Sequence, residues 1–207
     1  MGSARSRHRP NSDRPEHNGR VGNDRRGRGS PWWSRSRGLP PAVHESWRSS
    51  LAAQPNRPTR VLAWASTPTG FCIASPAALS YGNERAWTHI GWHEIERGGW
   101  NAELHELNWV LYAAPGQVGA RGSLELTEPG RLPVLFRERI SATIAVERFV
   151  PLAGERGVII AARRDLGGSG AVAWHGTLTR GLSWQTDGVP AAVDQAIEQA
   201  RAEYDVG

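Results

Sequence analysis

Apolar and polar positions alternate along most of the chain after residue 60, and the period shifts to helical spacing at three places. The run 61–65 (VLAWA) reads as a first strand, 68–70 (PTG) as a turn, and 71–75 (FCIAS) as the returning strand. A third strand is expected from Ala77 to Tyr81, closed by Gly82 and Asn83. Residues 87–96 (WTHIGWHEIE) alternate through Ile90, Trp92 and Ile95 with one slip, which predicts a bulge near Gly91. Gly98 and Gly99 read as a turn, Glu103 to Tyr112 as the next strand, and Ser123 to Leu126 as a short one. Turns recur every eight to twelve residues, as in a small antiparallel barrel or curved sheet.

The helical stretches stand apart from this pattern. Val43, Trp47 and Leu51 lie four apart behind Pro40 and Pro41, predicting a helix over 41–53 that Pro55 and Pro58 end. Leu132, Leu135, Phe136, Ile140 and Ile144 define a second, over 131–142, with Pro133 in its first turn. Three more strands are expected at 144–151, 157–164 and 171–178, joined by the Gly-bearing connections LAGERG and DLGGSG. A closing helix over 190–204 offers Val193, Ala196, Ile197, Ala200 and Tyr204 as its buried stripe, with Asp187 as N-cap. The expected fold class is α+β: an antiparallel small barrel or curved sheet with one internal and one C-terminal helix. The strand–helix alternation of a doubly wound parallel sheet is absent, and there is no internal repeat.

Composition divides the 207 residues unevenly. All 25 basic residues are Arg. Residues 1–60 carry 13 Arg against four acidic side chains, a net of +9, whereas 61–207 carry 12 Arg against 16, a net of −4. The first 38 residues are rich in Arg, Gly, Pro, Ser and Asn and poor in aliphatic side chains. Such a segment buries too little apolar surface to offset its ordering entropy, so it is expected to be disordered, with a single α+β domain over 39–207. One Cys excludes an internal disulfide framework and a Cys-based zinc finger. No apolar run approaches the ~18 residues of a transmembrane helix, and the Arg-rich start lacks the apolar centre of a secretory signal. A cytoplasmic protein is the expectation.

The stretch 131–164 (RLPVLFRERISATIAVERFVPLAGERGVIIAARR), together with 60–65 (RVLAWA), 90–100 (IGWHEIERGGW) and 195–204 (QAIEQARAEY), resembles a group of uncharacterised actinobacterial proteins. In that group a RERVTAS segment precedes a basic RHVPL-type hairpin. The resemblance covers roughly 39–207 and implies no activity. The Arg-only usage fits a GC-rich genome. The element order also resembles a pleckstrin-homology or GRAM-type barrel capped by a helix, with 131–142 as the cap. A domain of that type ends near residue 145, whereas three strands and a helix follow here.

Candidate chemistry is sparse. His89, His93, Glu94, Glu96, His105 and Glu106 are residue types that suit zinc or a similar ion. Arg97 occupies the position where an HExxH motif needs its second His, and the plain alternative is the polar face of a sheet. An enzyme or metal site around His89, His93 and His105 therefore stays open, while no metal site is assigned and no cofactor is expected. Cys72 lies in an apolar strand, as structural thiols do. No nucleophile elbow exists, and a P-loop needs a Lys the chain lacks.

Arg137, Arg139, Arg148, Arg163 and Arg164 would form an anion site if the fold gathered them; with Glu138 and Glu147 interleaved, a solvated, salt-bridged face is the favoured reading. In the tail, Arg25, Arg26 and Arg28 with Trp32 and Trp33 make an RGG-like element with aromatic neighbours. Its readings are non-specific nucleic-acid binding, adhesion to an anionic membrane surface, or no specific role. The leading expectation is a non-enzymatic binding module for a protein partner or an anionic ligand. A nucleic-acid-associated protein that uses the tail is the alternative.

Overall fold

A computed structural model describes residues 38–52 and 58–204. Arg25, Arg26, Arg28, Trp32 and Trp33, and with them the tail's expected disorder and partners, lie outside the described residues. The helix expected over 41–53 runs Pro41–Ser50, with Leu51 at its C-cap.

The protein is α+β, and its described residues form three antiparallel sheets and three helices. Helix α1 (Pro41–Ser50) leads into a four-stranded meander, β1 (Ala63–Thr67), β2 (Gly70–Ala74), β3 (Ala78–Asn83) and β4 (Ala86–Gly91). A single 3-10 turn (Trp92–Glu94) then starts a second sheet of β5 (Ile95–Asn101), β6 (Glu106–Leu111) and β7 (Arg121–Glu125). Helix α2 (Leu132–Ala142) follows, then a third sheet of β8 (Ile144–Ala153), β9 (Arg156–Arg164) and β10 (Val172–Leu178) with β9 in the middle, and finally α3 (Val189–Glu203). Among the described residues no barrel closes; the first two sheets share one core, and α2 covers it.

Burial explains the strand patterns. Strand β2 is apolar throughout because both of its faces are covered. Cys72 and Ala74 face the central core with Trp92, Leu107 and Phe136, while Ile73 packs with Trp47 and Leu51. Trp47 is fully buried, and a side chain of that size stabilises the α1 docking by about 2–3 kcal/mol. His89 secures the same junction: its Nε2 pairs with Ser50 Oγ at 3.0 Å and its Nδ1 with Ser80 Oγ at 2.8 Å.

Four local expectations are corrected. The slip near Gly91 is not a bulge inside one strand but the corner between two sheets. There Glu94 Oε2 accepts from the Gly91 N–H, and buried Trp92 donates to the Ser75 carbonyl. Gly98 and Gly99 do not turn the chain; they lie mid-β5, opposite Trp109 and Asn108. The reason is close approach, because a Cβ on Gly98 would stand 2.8 Å from the Phe136 ring and 2.6 Å from the Asn108 carbonyl. Asp187 does not cap α3. Gly188, in the left-handed conformation at φ 79°, occupies the N-cap, and Pro190 sits in the first turn. Ile144 opens β8 and is exposed, so the buried face of α2 is Leu132, Pro133, Leu135 and Phe136.

Candidate functional site

Strand β9 separates two environments. Val158 and Ile160 face α3, where they pack with Val189, Val193, Ala196 and Ala200. The alternate residues Ala161 and Arg163 face the other way and are also buried, Arg163 to 3% exposure. Ala173 and His175 of β10 stand opposite Arg163 and Ala161 and share that face.

Arg163 is the hub. Its Nε donates to Tyr112 OH (3.1 Å), Nη1 to the Ile140 carbonyl (3.2 Å) and Thr143 Oγ1 (3.1 Å), and Nη2 to the Glu96 carbonyl (3.2 Å). One guanidinium thereby ties β9 to the end of α2, to β5 and to the residue that follows β6. Glu96 is available because β5 carries a bulge between Ile95 and Arg97, which re-aims it. Its side chain meets Arg97 at 2.7 Å and Thr177 Oγ1 at 3.4 Å.

Tyr112 is held between two groups. The Arg163 guanidinium carbon lies 5.5 Å from its ring centre, and His175 stacks on it at 3.8 Å with the rings 10° from parallel. Burial raises the Tyr112 phenol above its ordinary range, and the neighbouring Arg163 opposes part of that. Burial also pushes the His175 imidazole down to about 4, helped by the positive charge of Arg163 and by His93. His175 is therefore neutral at physiological pH. Its Nε2 is shielded from solvent and has no hydrogen-bond partner among the described residues.

On the cleft side of this stack is a hollow of about 390 Å³. Trp174, His175 and Gly176 of β10 form one wall, and Val193, Asp194 and Ile197 of α3 another; Trp184 and the segment from Tyr112 to Pro115 complete it. Gly176 allows α3 to approach, since a Cβ there would stand 2.8 Å from Val193 Cγ1. A larger hollow of about 480 Å³ is lined by Leu39, His44, Arg60, Val61 and Trp64. It abuts chain next to residues outside the described set, so the β10 cleft is the better-defined site.

His89, His93 and His105, the set around which an enzyme or metal site was left open, are each engaged by different partners. His89 bridges Ser50 and Ser80, and His105 sits in the turn between β5 and β6 at φ 49°, with its ring stacked on Trp100. His93 lies beside Asp165, Nδ1 to Oδ1 3.5 Å, without hydrogen-bond alignment. Among the described residues no group of three or more His, Cys, Asp or Glu is arranged to hold a metal ion.

The five arginines are likewise dispersed. Arg137 is exposed on α2, and Arg139 donates to the Pro76 carbonyl at 2.6 Å. Arg148 pairs with Glu203 of α3, Arg163 is the buried hub, and Arg164 is exposed at the end of β9. The residues that sequence reasoning missed are Tyr112, Trp174, His175, Trp184 and Asp194. Their only signal was Arg163 itself, an arginine whose alternation on an apolar strand turns it inward.

Comparison with protein-family models, with curated proteins and with solved structures found no match to this chain.

Proposed function

We propose that this protein is a binding module whose ligand lodges in the cleft between β10, α3 and the Tyr112–Pro115 segment. The observation that carries this reading is the construction of the cleft. Two indoles and a carboxylate line a hollow backed by a ring stack that a four-bonded, buried arginine holds in place. Binding sites of this kind are concave, largely aromatic and pre-formed, with few polar groups. The lining includes no Ser, Cys or Lys nucleophile, and the thiol of Cys72 is buried in the central core and pushed up to about 12. An anionic ligand drew its support from the arginines. Because Arg139, Arg148 and Arg163 are already bonded within the fold, the cleft takes precedence over them.

A second reading, an acid–base enzyme, draws on the His93–Asp165 pair close to His175. A thermal-shift screen of small metabolites on the full chain separates the two. The module reading expects compounds that raise the melting temperature of the wild type and not of Trp184→Ala, and that are recovered unchanged. Compounds that stabilise both proteins alike place binding elsewhere, and chemical conversion that His93→Gln abolishes establishes the enzyme.

A further inference from the structure

We propose that the cleft beside β10 is a site for an organic cation, an alkylammonium or guanidinium group carried on a small ligand. This deepens the binding-module reading and rests on it.

The composition of the lining carries the proposal. Trp174 and Trp184 supply indole rings, the aromatic side chain that attracts a cation over its face most strongly. Asp194, in the second turn of α3, is the one acidic side chain in the lining, and the lining holds no arginine. The chain contains no lysine to compete for the place. His175 adds no positive charge at neutral pH, because burial and Arg163 keep its ring unprotonated. Arg163 is not among the lining residues, and its N–H groups are donated to four acceptors within the fold, so they are not offered to an anion in the cleft. An anion entering here would meet a carboxylate and no cationic side chain in the lining.

Shape decides between a small ligand and an extended peptide. Strand β10 is a sheet edge, and an edge can accept an added strand. The loop at Gly116 comes close to Trp184, one of the lining residues: a Cβ on Gly116 would stand 3.9 Å from Trp184 Cβ. A hollow of about 390 Å³ is at the small end of ligand sites and suits a compact molecule with an ammonium head and a modest apolar body.

The test is calorimetric titration of the full chain with tetramethylammonium, choline and methylguanidinium, with 3,3-dimethyl-1-butanol as the uncharged counterpart of choline. The expected result is saturable binding of at least one cation, with choline at least tenfold tighter than its uncharged counterpart. Asp194→Asn and Trp174→Leu, each checked for an unchanged unfolding transition, should both weaken the cation tenfold or more. If Trp174→Leu fails to fold, Trp184→Leu takes its place. Equal binding of choline and the neutral alcohol would overturn the cation proposal while leaving the cleft a binding site. Cation binding that survives both substitutions would overturn it by placing the cation elsewhere. No binding of any of the three cations would overturn it as well, and the metabolite screen would then judge the module reading separately.

Discussion

Replacing Arg163 with Met tests how the site is held together. The two side chains are similar in length, so packing is largely kept while the charge and donors go. Four donor contacts disappear, to Tyr112 OH, Thr143 Oγ1 and the carbonyls of Ile140 and Glu96. The consequences differ by acceptor. The Ile140 carbonyl still receives the Thr143 N–H and hydroxyl, so it stays satisfied. The Glu96 carbonyl and the Tyr112 hydroxyl lose the donor that the fold supplies. Each such loss costs about 1–3 kcal/mol. Against this, the buried guanidinium no longer has to be desolvated, which returns part of the loss. The expected net is a destabilisation of about 2–4 kcal/mol, read by urea unfolding followed through Trp fluorescence. A double-mutant cycle with Tyr112→Phe should show coupling of about 1 kcal/mol, because that partner is removed as well. The variant also removes a charge that depresses His175, so the imidazole midpoint, followed by NMR, should move up from about 4 but stay below its ordinary value because burial remains. A stability change under about 0.5 kcal/mol, or an unmoved His175 midpoint, would refute the hub.

Other outcomes follow from the same geometry. His175 binds a proton less readily folded than unfolded, so between pH 6.5 and about 4 the unfolded chain holds more protons and stability falls as pH falls, levelling out below 4. Screening at a ring that is only partly buried limits the loss to roughly 1–2 kcal/mol; urea midpoints of wild type and His175→Phe across that range measure it, and parallel curves would contradict it. Gly98→Ala forces a methyl against Phe136 and the Asn108 carbonyl and should cost about 1–3 kcal/mol in the same assay. Cys72, fully buried with its thiol pushed up to about 12, should react with a thiol reagent only as fast as the native protein opens; rapid modification would contradict its place in the core.

Much of the element order was legible because each element shows its period. The closing helix displays Val193, Ala196 and Ala200, and β9 displays two alternating faces. The division into sheets was not legible, because a one-turn helix at Trp92–Glu94 keeps the apolar spacing of a bulged strand. Gly98 and Gly99 misled for a related reason: a glycine that admits a neighbouring ring reads the same as a glycine that turns the chain. Within the site, Arg163 was visible as a charge on an apolar strand, but its partner Tyr112 is 51 residues away. Trp184, Asp194 and His175 carry no shared motif and meet only because α3 folds back over β10. The histidines were readable as residue types and not as neighbours, since each is secured by its own local contacts.

The most direct test of the cleft as an organic-cation site is the indole N–H region of a 1H–15N spectrum during a choline titration. Resonances of Trp174 and Trp184 are assigned by single Trp→Phe substitutions. The account predicts that these two shift together and saturate while buried Trp47 and Trp92 stay still. Shifts confined to other indoles, or none at saturating choline, would contradict it.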